Sequence, residues 1–233
     1  MMEENRIKLW DLPTRLFHWL LVALVALAFA TGLSGGNWMV WHGRIGLAIL
    51  GLLAFRLAWG FIGSTYARFA KFVRGPGTIL AYLRGHWQGV GHNPLGALSV
   101  LVLLGLLLFQ SLSGLFATDD IAFKGPLQAL VPTDTSDWLS GLHRQAIWLI
   151  GGLVSLHLGA TLFHTWFHKN DLIRPMLNGY ASVKDSTAIS ATGGGPLAFL
   201  MALAIAAVLV WIAAGGLLPP PPAPPPPGSV PNW

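Results

Sequence analysis

WLSGLHRQAIWLIGGLVSLHLGATLFHTWF, residues Trp138–Phe167, decides the fold. The run is apolar and long enough to cross a bilayer, which needs a helix of ~20 residues. It carries His143 and His157, fourteen positions apart. On an α-helix that spacing is close to four whole turns, so both imidazoles leave the same face about 21 Å apart. An ionisable side chain inside a span costs free energy in lipid and points to a functional interior. Two in register share one reason, and a stack of two haem irons, each taking one of the imidazoles, supplies it.

Composition agrees. Hydrophobic residues make up 54% of the 233 and charged residues 10%, with a mean hydropathy of +0.60. An ordinary soluble domain has ~25% charged residues. The sequence has no cysteine, which excludes disulfides, Cys-ligated iron–sulfur clusters and the thioether attachment of a c-type haem. Any haem is therefore held by axial ligands and packing. The first apolar run contains His18 and has no clean small-residue cleavage site, so it reads as a permanent span and not a removable signal.

Five spans are expected, over Leu16–Gly35, Trp41–Ile62, Leu95–Ala117, Ser140–His164 and Pro196–Leu218. The expected fold is an all-α integral membrane protein. A four-helix bundle holding two haems occupies residues 1–180, followed by a linker over 181–195 and a fifth C-terminal transmembrane helix over 196–218. Ten Lys and Arg, from Arg6 to Lys184, fall on one side of these spans and Lys124 alone on the other. That asymmetry predicts a cytoplasmic N-terminus and a periplasmic C-terminus. The net charge of +5 is then a topology device and gives no case for nucleic-acid binding.

Between spans, Tyr66–Arg84 alternates aromatic and basic residues and predicts a short helix in the headgroup layer, broken by Gly75-Pro76-Gly77. The external loop 117–142 is acidic, with Asp119, Asp120, Asp134 and Asp137 against Lys124. Residues 185–195 predict a flexible tether, and the tail 219–233, with proline runs Pro219–Pro222 and Pro224–Pro227, a stiff polyproline rod in the periplasm. No internal repeat is visible.

Depth pairs the histidines. His18 lies near the cytoplasmic start of the first span and His42 near the periplasmic start of the second. His143 enters from the periplasm and His157 approaches the cytoplasm, giving a His42/His143 tier and a His18/His157 tier. Each tier supplies both axial ligands of one iron, a centre suited to passing electrons. His164 and His168 share the face of His157 and are alternative partners for His18, though a ~20-residue span favours His157 by depth. Arg15, Arg44, Arg56 and Arg144 are candidate partners for haem propionates, because a guanidinium fork fits a carboxylate. Interfacial snorkelling serves equally for Arg15 and Arg44, whereas Arg56 is deeper. Gly46, Gly51, Gly151 and Gly152 suit either a macrocycle against the backbone or close helix packing. His92, His164 and His168 are candidates for proton exchange with a quinone at the cytoplasmic face.

The segments Lys8-Leu-Trp-Asp-Leu-Pro-Thr-Arg-Leu-Phe-His18-Trp, Trp41-His42-Gly-Arg-Ile-Gly, Phe72-Val-Arg-Gly-Pro and Gly91-His-Asn-Pro-Leu-Gly, with the His143…His157 pair, carry a further signal. Over residues 5–180 the chain resembles the bacterial cytochrome b561 family, which includes b-type cytochrome subunits of nickel–iron hydrogenases. The resemblance implies two non-covalent haems b ligated by His18, His42, His143 and His157. It also implies electron exchange between a membrane quinone and a partner redox protein. The expected function is a transmembrane electron conduit between the quinone pool and a periplasmic partner such as a cytochrome c, whose basic surface the acidic loop would attract. Two other readings are a superoxide:quinone oxidoreductase at the periplasmic haem and a membrane anchor within a multisubunit redox complex.

Overall fold

The computed structural model describes residues 5–87, 89–121, 123–183 and 187–219. The proline rod expected over 219–233 therefore lies, beyond Pro219, outside the described residues.

Helix α1, Leu12–Ser34, begins at Asp11, whose carboxylate accepts the Thr14 N–H at 2.6 Å. Pro13 sits in the first turn, where a missing N–H costs nothing. The helix ends at Gly35, which adopts φ +63°, a conformation glycine takes without a Cβ penalty. After α2, Met39–Ile62, the chain forms two short helices, α3, Phe69–Phe72, and α4, Pro76–Leu83. The break expected at Gly75-Pro76-Gly77 within Tyr66–Arg84 is present, and Pro76 starts the second piece. A proline disfavours helix in the residue before it and fits the first turn after it. Asn93 caps α5, Pro94–Leu115, through the Gly96 N–H at 2.7 Å.

Helix α6, Thr133–Trp166, has 34 residues, about 51 Å at 1.5 Å per residue and well beyond a ~30 Å hydrocarbon layer. It starts seven residues before the span expected from Ser140, because Asp134 and Asp137 extend the helix without being apolar. Helix α7, Ile173–Asn178, and helix α8, Pro196–Ala213, complete the set. Five of these helices are long and apolar enough to cross a membrane, in agreement with the five expected spans.

Helix α2 is the hub. It packs on α1, α5 and α8, while α6 leans on α5. The contact with α8 uses small residues: Ala202 and Ala206 are buried, and a Cβ at Gly51 would come within 2.9 Å of Val210. Such stripes let helix backbones approach in lipid. Leu53, Phe55 and Trp59 on α2 hold the centre of the core.

The all-α expectation needs one addition. Strand β1, Asn5–Lys8, pairs antiparallel with β2, Tyr180–Val183. The stretch expected as a linker over 181–195 therefore opens in a strand. Its described later residues are pinned as well, with Ala191 N–H on the Lys8 carbonyl at 2.7 Å and Thr65 N–H on the Thr192 carbonyl at 2.9 Å. Gly193 and Gly194, at φ +80° and +66°, turn this strap across the end of α2. Here glycine serves the turn and not flexibility. The ribbon and strap mark one end of the bundle, called the basic end below; the opposite end, with Asp120, Asp134 and Asp137, is the acidic end.

Candidate haem sites

At the acidic end, His42 from α2 and His143 from α6 meet across a part of the bundle where the two backbones do not pack closely. Their ring centres are 6.0 Å apart and their planes are at 89°. His42 Nδ1 lies 3.0 Å from the Ala28 carbonyl and 3.3 Å from Thr31 Oγ1, both on α1. His143 Nδ1 lies 2.9 Å from the Gln110 carbonyl and 3.1 Å from Ser113 Oγ, both on α5. A carbonyl can only accept, so in each ring Nδ1 donates its proton and Nε2 keeps a free lone pair. That is the tautomer a metal-ligating histidine uses.

The neighbouring helices are cut to receive these rings. A Cβ on Gly32 would stand 2.9 Å from His42 Cε1, and a Cβ on Gly114 would stand 2.9 Å from His143 Cε1. Each seat thus has a carbonyl at one position, a hydroxyl three residues on and a glycine at the fourth: Ala28/Thr31/Gly32 on α1, Gln110/Ser113/Gly114 on α5. The two seats repeat the same local arrangement on α1 and α5.

Chemistry of the donor set tests whether haem fits. Metal–imidazole bonds of ~2 Å, with ~1.1 Å from each ring centre to its nitrogen, put two axial imidazoles about 6 Å apart. The observed separation is 6.0 Å. Among the described residues no group of three or more His, Cys, Asp or Glu gathers as a bare ion would require. A porphyrin brings four nitrogens of its own and needs only two from the protein. The acidic-end pair fits a haem.

At the basic end, His157 lies within electrostatic reach of His18. His164 and His168 stack on each other instead, with ring centres 5.1 Å apart. His18 Nδ1 is buried with no hydrogen-bond partner among the described residues, and His157 Nδ1 is 3.5 Å from Ser99 Oγ. Among the described residues neither basic-end ring has the carbonyl seat of the acidic-end pair.

His92 does not join His164 and His168. The cap at Asn93 turns it inward between Trp10 and Phe72, with ring centres at 4.7 and 4.5 Å. Burial, with the nearby Arg56 charge and then His157 adding, pushes its imidazole down to about 3, so it is neutral.

The four arginines separate. Arg56 is 3% exposed, with its guanidinium 5.0 Å from the centre of the Phe69 ring and Nη1 unpartnered among the described residues. Asp11 lies within electrostatic reach of it, but its carboxylate is on the Thr14 N–H and on Trp59 Nε1 at 2.9 Å. A buried guanidinium with a spare N–H is costly alone and fits a carboxylate such as a propionate. Arg15 Nη1 donates to the Leu177 carbonyl at the end of α7, and its Nε is buried without a partner among the described residues. Arg44 is exposed and stacks over Trp41 at 5.0 Å, and Arg144 is exposed beside His143. Gly51 proves to be a helix-contact glycine, whereas a Cβ at Gly46, Gly151 or Gly152 would meet nothing within 4 Å.

Sequence reasoning missed Thr31, Gln110, Ser113, Gly32, Gly114, Asp11 and Trp59. The available signal was the pair Thr31-Gly32 against Ser113-Gly114, each near the same end of its span.

A family model described as prokaryotic cytochrome b561 matches residues 9–179. The chain is 24% identical over 222 residues to the probable Ni/Fe-hydrogenase 1 B-type cytochrome subunit of Escherichia coli strain K12, covering 75% of this chain and 90% of the relative. The subunit of the same description from Escherichia coli O157:H7 matches to the same extent. No solved structure matches. The matched span covers the helices that carry His18, His42, His143 and His157, and the chain belongs to the prokaryotic cytochrome b561 family.

Proposed function

We propose that this membrane b-type cytochrome holds two haems b, one between His42 and His143 on the periplasmic side and one between His18 and His157 on the cytoplasmic side. Through them it carries electrons across the inner membrane, between the quinone pool and a periplasmic redox partner such as a cytochrome c. When bound, the haems would be held by His42 with His143 and by His18 with His157 and would supply one-electron iron chemistry. The chain supplies the rest. Ala28 and Gln110 hold the Nδ1 protons of the outer ligands, Arg56 balances a buried carboxylate, and neutral His92 adds no charge beside the inner pair. The observation that carries this reading is the 6.0 Å, 89° relation of His42 and His143. A redox-titrated visible spectrum of the purified full chain tests it. Two b-type components are expected, with one lost in His143→Ala and the other in His18→Ala. A wild-type spectrum with no b-type band defeats the reading.

A second reading has support from the relatives, which are described as probable subunits of a Ni/Fe-hydrogenase. The chain would then be the membrane subunit of a larger redox complex, with α8 on the outside of α2 widening the surface for it. Co-purification of a dehydrogenase subunit with the tagged chain distinguishes this from a free-standing carrier.

A further inference from the structure

We propose that Ser113, and more weakly Thr31, are positioning residues that set the reduction potential of the acidic-end haem by competing with its ligands for a shared carbonyl. The inference rests on the ligand reading above.

Each carbonyl in the two seats receives two donors. The Gln110 oxygen takes His143 Nδ1 at 2.9 Å and Ser113 Oγ at 3.0 Å. The Ala28 oxygen takes His42 Nδ1 at 3.0 Å and Thr31 Oγ1 at 3.2 Å. A carbonyl shared between donors pulls less on either proton. The harder the Nδ1 proton is pulled, the more basic Nε2 becomes and the more it favours ferric over ferrous iron. A hydroxyl that occupies half of that carbonyl therefore keeps the ligand less basic and the potential higher.

The two seats are not equal. Thr31 Oγ1 makes its shorter bond to the Leu27 carbonyl, 2.7 Å, and lies 3.3 Å from His42 Nδ1. Ser113 has Gln110 as its one backbone acceptor and lies 3.1 Å from His143 Nδ1. Ser113 is thus the stronger competitor. His18, whose Nδ1 has no partner among the described residues, provides the internal control.

Removing the competitor changes no ligand, no charge and no electron count; the iron still exchanges one electron. The test is a potentiometric titration of the haem-loaded full chain, followed in the visible band and by low-temperature electron paramagnetic resonance. Ser113→Ala is expected to keep both haems and to move one midpoint downward. The change in the ferric/ferrous ratio at fixed poise should reach about tenfold, which is about 59 mV for one electron. Thr31→Val should move the same component by less, Ser113→Thr should restore the wild-type midpoint, and the second haem should stay put. An unchanged or raised midpoint in Ser113→Ala overturns the proposal, as does Ser113→Thr behaving like the alanine variant. A wild-type chain lacking the bis-histidine resonance of the acidic-end haem overturns the underlying ligand reading instead.

Discussion

Gly114 and His143 stand so close that a Cβ on the glycine would come within 2.9 Å of the imidazole. The ring is also tied through Nδ1 to the Gln110 carbonyl, so it cannot slide away freely. Gly114→Ala should displace His143 by a few tenths of an ångström and unseat one haem. Haem extracted per protein should fall from two towards one. Gly32→Ala should act on the same haem through His42, and a full complement in both variants would refute the seats.

The glycines without neighbours give an opposite test. Gly46 and Gly151 face open space within the 4 Å shell of a Cβ, while Gly51 faces Val210. A leucine at Gly46 or Gly151 should lower haem content if those faces border a macrocycle. Leucine at Gly51 should instead loosen α8 from α2 and leave both haem bands in place. Pigment analysis with protease accessibility of the 187–195 strap separates the two effects.

Asp11 serves two buried donors, the Thr14 N–H and Trp59 Nε1. Asp11→Ala removes a helix cap, worth about 0.5–2 kcal/mol, and strands a buried indole N–H, worth about 1–3 kcal/mol. The temperature at which the haem bands bleach should drop by several degrees, and Asp11→Asn should recover much of the loss.

The acidic end carries an exposed loop tip. Ile121 is 92% exposed beside Asp120, and Phe123 packs over Gly43, one residue from His42. If a basic redox protein docks there, Asp120→Lys should slow oxidation of the reduced cytochrome by a lysine-rimmed cytochrome c about tenfold at low salt, and the difference should fade as salt rises. Equal rates at all ionic strengths would point to another docking face.

His92 is neutral in the fold, with its imidazole lowered to about 3 from an ordinary value of 6.5. Between those values the unfolded chain binds more protons than the folded one, so stability rises with pH through that window and is lost as pH falls. Relative to His92→Phe, the wild type should lose at most about 1.4 kcal/mol per pH unit as pH falls below 6. Parallel melting curves of the two proteins down to pH 4 would argue against a buried neutral ring.

The five spans and the approach of His42 to His143 were legible because they rest on local periodicity, which hydropathy and helical spacing report directly. The start of α6 was not, since Thr133–Leu139 is helical without being apolar. The β1–β2 ribbon was invisible for a different reason. Asn5–Lys8 and Tyr180–Val183 are four-residue segments whose partners lie far apart in sequence, and neither alternates strongly enough to declare a strand. The hydroxyls of Thr31 and Ser113 were hidden because a membrane-helix Ser or Thr ordinarily bonds back to its own helix, and only the meeting of α1 with α2 and α5 with α6 gives them a second role. Gly193 and Gly194 misled by composition, which says nothing about whether a left-handed residue turns a strap or loosens a tether.

The ribbon also sets an order of events during synthesis. Asn5–Lys8 has to wait for its strand partner until Tyr180–Val183 has left the ribosome, by which time the four long helices between them have been made. The apolar cluster of Ile7, Leu9 and Trp10 with Met176 and Ala181 therefore comes together only at the end of that interval.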